Sequence, residues 1–344
     1  MEKFVFRADA SLQIGTGHIM RCLALAQKLC AVGGSSVFAT AMRAPLMSKR
    51  LKSEGIETVQ FNVLPGSLED AKQTANLAKK LGALWVVVDG YHFDASYQLA
   101  IKKSGFHLLV IDDFGSANHY YADVVLNQNL YAEEALYLAK EPYTHLLLGP
   151  RYVLLRNEFL KWRRFPRIFP ENARKLFVTL GGSDSENTAL KILSSIQRTK
   201  IDGLEAILLC ANNSHFKELQ STALASNINI SLKRNVGNMP ELMAWSDIAV
   251  SAAGTTTWEL AFMGVPMLVM PIAINQLRVA EQLSKAGAAT NLGWYKSLKA
   301  SDVATKITEL MSGRHIREDL SNCARNLVDG YGACRVIEYI RNGN

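Results

Sequence analysis

Short apolar runs rich in β-branched and aromatic residues alternate along the whole chain with segments whose apolar positions recur at helical spacing. In the first half the runs are KFVFRAD, SSVFATAM, ETVQFNV, LWVVVDG, HLLVIDD, ADVVLNQ and THLLLG, and HIMRCLALAQKLCAVGG is one of the helical segments between them. Strands that are apolar on both faces need cover on both, so the pattern predicts a parallel sheet flanked by helices. It breaks at residues 156–175, RNEFLKWRRFPRIFPENARK, where charges and the prolines Pro166 and Pro170 read as a connector. It then restarts in KLFVTLGG, LEAILLCA, INISLKRNV, DIAVSAAG and PMLVMPIA. The expected architecture is α/β, with two Rossmann-like doubly wound domains over residues 1–160 and 161–344 facing a cleft.

Composition narrows the function classes. A chain of 344 residues exceeds one ordinary core, and 49% hydrophobic with 20% charged residues is the balance of a globular protein. Lys and Arg number 38 against 31 Asp and Glu, a formal charge of +7 that suits an anionic small molecule. No basic stripe interleaved with aromatics is present, so nucleic acid is not expected as a partner. The densest basic run, KWRRFPR at 161–167, reads as a solvated linker. The five cysteines show no C-x-x-C spacing, which argues for a reducing compartment and against zinc. Cys22 and Cys30 fall in an apolar helical pattern and are expected as buried small hydrophobes. The chain opens on a strand-like segment, and no stretch nears the roughly 20 apolar residues of a membrane span. A cytoplasmic protein without stable membrane insertion is therefore expected.

In doubly wound sheets, ligands sit beyond the carboxyl ends of the strands. Three loops fall there: RADASLQIGTGH, TLGGSDSEN and SAAGTTTWE. Gly15 and Gly17 hint at a dinucleotide fingerprint, but Met20 and Arg21 stand where its third glycine is needed, and FATAMRA closes the second strand without a carboxylate. His18 opens the next helix, where unpaired N–H groups and the helix dipole disfavour the imidazolium, so it can take a proton from water or can simply pack the loop. In the second loop, N–H groups of Gly181, Gly182 and Ser183 can cradle a phosphate, or Ser183 and Glu186 can form a capping box. In the third, Gly254, Thr255 and Thr256 offer donors to a diphosphate, with Glu259 one turn on to accept ribose hydroxyls; Thr256 and Glu259 also fit a capping box. Asp89, Asp112 and Asp113 lack a histidine at ligand spacing, so strand-end capping or sugar hydroxyls suit them better than a metal. His92, His107, His119, His145, His215 and His315 show no mutual spacing that suggests a metal, and Tyr91 and His92 are candidates for substrate contact.

Taken in order, FRADASLQIGTGHIMRCLALA, LLVIDDF, ADVVLNQNLY, LLGPRYVLLRNEF and LFVTLGGSDSEN resemble the PseG family, UDP-sugar hydrolases of the pseudaminic acid pathway. That family cleaves UDP-2,4-diacetamido-2,4,6-trideoxy-β-L-altropyranose. SAAGTTTWELAFMGVPMLVMPIAINQ is similar to the nucleotide-binding domain of MurG-type glycosyltransferases. The resemblance implies a GT-B-like fold, a UDP-sugar substrate and no cofactor. It makes His18 the base that activates water. Arg7, Asp9, Gly15, Gly17, Asp89 and Tyr91 in the first half, and Gly182, Ser183, Asp184, Asn187, Gly254, Thr255 and Glu259 in the second, become substrate-binding candidates. The GGSD loop and Gly254–Thr255 would face the diphosphate, with Glu259 on the ribose. The family's D-H-Y appears here as Asp89-Gly90-Tyr91-His92, which leaves the exact sugar open. Water would attack the anomeric carbon with inversion. A nucleoside diphosphate leaves as a stable anion, its last ionisation near pKa ~6, so one base suffices without an acid–base carboxylate pair. A GT-B glycosyltransferase using the same nucleotide site is the alternative.

Overall fold

The computed structural model describes residues 2–11, 14–181, 188–210 and 216–342. All seven apolar runs of the first half form strands: β1 (Lys3–Ala8), β2 (Ser35–Thr40), β3 (Glu57–Gln60), β4 (Trp85–Asp89), β5 (His107–Ile111), β6 (Val124–Asn127) and β7 (His145–Leu148). Among the described residues they make a seven-stranded sheet in the order β3-β2-β1-β4-β5-β6-β7, and every pairing is parallel. Strand alternation explains the continuous apolar runs. Phe4, Phe6, Trp85 and Val87 pack to one face, while Val5, Val86 and Val88 pack to the other.

The second half repeats the plan with β8 (Lys175–Thr179), β9 (Glu205–Leu209), β10 (Asn229–Lys233), β11 (Ile248–Ala252), β12 (Met267–Met270) and β13 (Thr290–Asn291). Its parallel sheet runs β10-β9-β8-β11-β12-β13 among the described residues. The first five strands coincide with the expected runs. The two-residue β13 is too short to leave a periodic signal.

The chain divides into two compact units, Met1–Asn157 with Gly330–Asn344, and Glu158–Asp329. This corrects the expected second domain of residues 161–344 at its far end. The last helix, Gly332–Asn342, sets Ala333, Val336, Ile337 and Ile340 into the core of the first unit. There they join Ile19, Cys22, Leu23, Ala26 and Leu29 of α1 (Gly17–Ala31), whose i, i+3, i+4, i+7 spacing makes one apolar face. Gly332 is needed at the entry, because a Cβ would lie 2.2 Å from the Val153 carbonyl oxygen.

Two further expectations change. Cys30, in the last turn of α1, is exposed; Cys22 is buried as expected. Within the basic run, Arg167 is not a solvated linker residue. Its guanidinium donates to the backbone oxygens of Ser246 at 2.6 Å and Met243 at 2.7 Å, carbonyls at a helix end where intrahelical donors run out. Burial, with Arg325 nearby, brings its pKa down to about 10. Among the described residues no helix is long and apolar enough to cross a membrane.

Candidate active site

At the carboxyl edge of the first sheet, two buried ion-pair networks lie side by side. The outer ends of β1 and β2 are held by the first. Arg7 is fully buried and donates from Nε and Nη2 to Asp70, both at 2.8 Å, and from Nη1 to Asp9 at 2.7 Å. Asp70 sits in the first turn of the Leu68–Leu81 helix, capped by Ser67. The other oxygen of Asp9 accepts the N–H groups of Ala41 at 2.7 Å and Met42 at 2.9 Å, fixing the chain after β2. Arg7, expected among the substrate-binding residues, is thus buried with Nε, Nη1 and Nη2 all engaged by Asp70 and Asp9.

The second network centres on Asp89, the last residue of β4. His18, the second residue of α1, brings Nδ1 to 2.6 Å from Oδ1 of Asp89. Arg21, one turn further along α1, grips the same carboxylate with Nε to Oδ2 at 2.5 Å and Nη2 to Oδ1 at 2.7 Å. Cys22 contributes a thiol contact to Oδ2 at 3.7 Å. The Asp89 side chain is 0% exposed and both of its oxygens are occupied by His18 and Arg21. Burial alone would raise the Asp89 pKa, but the charge of Arg21 and then His18 outweighs it and holds the carboxyl below its ordinary value. The group is an anion at neutral pH. It accepts a hydrogen bond from Nδ1 of His18 and so leaves Nε2 as the basic nitrogen of the ring.

Arg21 bridges onward to Asp113 just after β5, with Nη1 to Oδ1 at 2.7 Å. Asp113 also accepts the Tyr91 hydroxyl at 2.7 Å and the Asn129 amide at 3.0 Å. Burial pushes the Asp113 carboxyl up, while Arg21, His18 and the Tyr91 hydroxyl together bring it well below the usual carboxylate range. The Tyr91 ring meets His18 edge-on, centroids 5.1 Å apart. Asp112 performs the strand-end capping expected of it, accepting Gly115 N–H at 2.6 Å and the Ser116 hydroxyl at 2.6 Å.

These networks border a pocket of about 310 Å³ lined by Asp9, Ile14, His18, Asp89, Gly90, Tyr91 and His92. The loop that supplies Ile14 is closed by paired bonds between Ser11 and Gly15, and Gly15 holds φ +74°, a conformation a β-branched residue would resist. Gly17 is the first helical residue. The glycines of IGTGH thus set the turn that delivers His18 to the pocket rim. Sequence reasoning identified His18, Asp9 and Tyr91 here but missed Arg21 and Asp70. The i, i+3 relation of His18 and Arg21 was the signal for the former.

In the second unit, Gly254 and Thr255 precede the Thr256–Met263 helix. Thr255 is the N-cap residue and no side chain caps it, so the expected Thr256–Glu259 capping box does not form: Thr256 is already helical. Thr257 and Trp258 face inward, whereas Gly254, Thr255, Thr256 and Glu259 are all partly exposed. Gly182, Ser183, Asp184 and Asn187 lie outside the described residues.

Residues 176–329 match the Glycosyltransferase family 28 C-terminal domain. Over 83% of this chain and 97% of its own length, the UDP-2,4-diacetamido-2,4,6-trideoxy-beta-L-altropyranose hydrolase of Campylobacter jejuni is 29% identical. An uncharacterised protein of Methanocaldococcus jannaschii is 24% identical over 95% of this chain and 70% of its own. The solved structure of Acinetobacter baumannii MurG superposes with a TM-score of 0.68 at 18% identity, covering 99% of both chains. This chain has the two-domain, Rossmann-like fold of the GT-B proteins.

Proposed function

We propose that the protein is a hydrolase of a UDP-linked 2,4-diacetamido-2,4,6-trideoxy sugar, releasing UDP and the free sugar for nonulosonic acid biosynthesis of the pseudaminic type. The observation that carries this reading is the His18–Asp89 pair on the rim of the pocket. Water attacks the anomeric carbon, its proton passes to Nε2 of His18, and the bond from that carbon to the diphosphate oxygen breaks with inversion. Asp89 fixes the tautomer and balances the imidazolium that forms. UDP takes the electron pair of the broken bond and needs no general acid. N–H groups at Gly254 and Thr255 and in the Gly182–Ser183–Asp184 loop with Asn187 would stabilise its charge, with Glu259 on the ribose. Similarity along nearly the full length of the Campylobacter hydrolase supports this substrate. Five free cysteines support a cytoplasmic setting.

One observation favours a second reading. The match of residues 176–329 to a glycosyltransferase domain suits a transferase that would aim the same base at an acceptor hydroxyl. Incubation with the UDP-sugar and no acceptor separates the two. The hydrolase releases free sugar and UDP in equal amounts, the sugar first appearing as the inverted anomer. Release that waits for an added acceptor would assign the transferase instead.

A further inference from the structure

The reaction just described leaves His92 without a part, although it borders the same pocket. Its Nε2 is sealed from solvent, makes no hydrogen bond, and lies 3.7 Å from Oδ2 of Asp9. The ring rests on Phe93, centroids 4.1 Å apart. Gly90 makes room for it, since a Cβ at that position would stand 2.8 Å from Cε1 of His92. Nδ1 also has no hydrogen-bond partner among the described residues, yet it is not sealed, and the side chain keeps 29% of its exposure.

The charges facing the ring are Arg7, Asp9, Asp70 and His18. Burial, then Arg7, hold the imidazole below its ordinary pKa against the pull of Asp9 and Asp70, so the ring is neutral at pH 7. A neutral imidazole carries one N–H and one lone pair. The Asp9 carboxylate beside Nε2 draws the proton there, which puts the lone pair on Nδ1, at the open side of the ring.

We propose that His92 is a specificity-determining residue whose Nδ1 accepts a hydrogen bond from an N–H or O–H donor on the sugar that occupies the pocket beside His18. The identity of that sugar rests on the proposed function. A phosphate or carboxylate oxygen has no proton to give and is refused at this edge, whereas the N–H of an acetamido group fits.

Long-range proton–nitrogen spectra of the histidine-labelled protein test the ring without any turnover, with the His92 signals assigned by their loss in His92→Asn. The expected state at pH 7.5 is a neutral ring protonated on Nε2, with the Nδ1 resonance moving when the free diacetamido sugar is added. A cationic ring, an Nδ1–H tautomer or an unmoved Nδ1 overturns the proposal. In the hydrolysis assay, His92→Phe should raise KM about 3- to 10-fold, the weight of one neutral hydrogen bond, with kcat and UDP affinity held. His92→Asn, whose Oδ1 reaches the place of Nδ1, should restore KM. A sugar carrying hydroxyls in place of the acetamido groups tells the donor: a KM effect confined to the diacetamido substrate assigns the amide, and an equal effect on both assigns a hydroxyl. Unchanged KM in a folded His92→Phe protein overturns the proposal. If the parent releases no free sugar at all, the hydrolase reading fails, while the spectra still decide the role of His92.

Discussion

His18 can act as a base only through the nitrogen that Asp89 leaves open. His18→Asn keeps a polar group of similar reach but cannot take up the proton, so turnover should fall about 10²–10⁴-fold while UDP affinity, measured by calorimetric titration, stays near the parent value. Near-parental turnover would make His18 a loop-packing residue. Asp89 carries a structural duty as well. Asp89→Asn takes one of two carboxylates from the buried Arg21, which keeps Asp113, so the loss in a denaturant melt should be about 1.5–3 kcal/mol, the weight of hydrogen bonds to a charged group. The pH dependence follows from the direction of the shift. The folded state depresses the Asp89 and Asp113 pKa values, so the unfolded chain binds their protons first as pH falls. Their stabilisation is complete above the unfolded value of about 4 and is lost as pH falls through the folded values. Melting temperature should therefore drop as pH falls below about 4, and replacing Asp89 should shrink that drop.

At the scale of the element, strands were the most legible feature because burial on both faces writes them as unbroken apolar runs. The loops at their carboxyl ends were legible for the glycines and for His18. The partners of those residues were not, since Asp70 meets Arg7 across 63 positions and Arg21 meets Asp89 across 68. Such distances carry no periodic signal. The start of the Thr256–Met263 helix was misread by one residue, and that residue decides what Glu259 does. With no Thr256–Glu259 capping box to lose, Glu259→Ala takes a carboxylate from the first helical turn, whose interaction with the helix dipole is worth about 0.3–1 kcal/mol. If Glu259 holds the ribose hydroxyls, UDP affinity should fall by about 1.5–3 kcal/mol. Titration beside a melting curve reads both, and intact affinity would remove Glu259 from the nucleotide site.

For the whole molecule, the division into units was legible at the connector and wrong at the far end. The apolar face of the last helix fits either sheet on periodicity alone, and only its packing on α1 assigns it. Ile337 is 2% exposed in that contact, so Ile337→Ala should destabilise the first unit by about 2–5 kcal/mol. Proteolysis under mild denaturant should then cut first within residues 1–157, with the 158–329 unit surviving longer. Equal protection of both units would show that the helix is not part of the first core.

The return of that helix also bears on the order in which the chain acquires structure as it is made. Glu2 is paired with Arg341 at 2.7 Å, so the earliest and latest segments of the described chain are neighbours. Residues 158–329 have their own core and can close as soon as they have left the ribosome. The unit begun first must wait, with the patch around Cys22, Leu23 and Leu29 uncovered, until residues beyond 330 arrive. This packing predicts that synthesis completes the later unit before the earlier one, which limited proteolysis of ribosome-bound chains stalled before residue 330 would check. For that interval the nascent chain displays an apolar surface, which makes it a natural client for a chaperone that holds exposed hydrophobic segments.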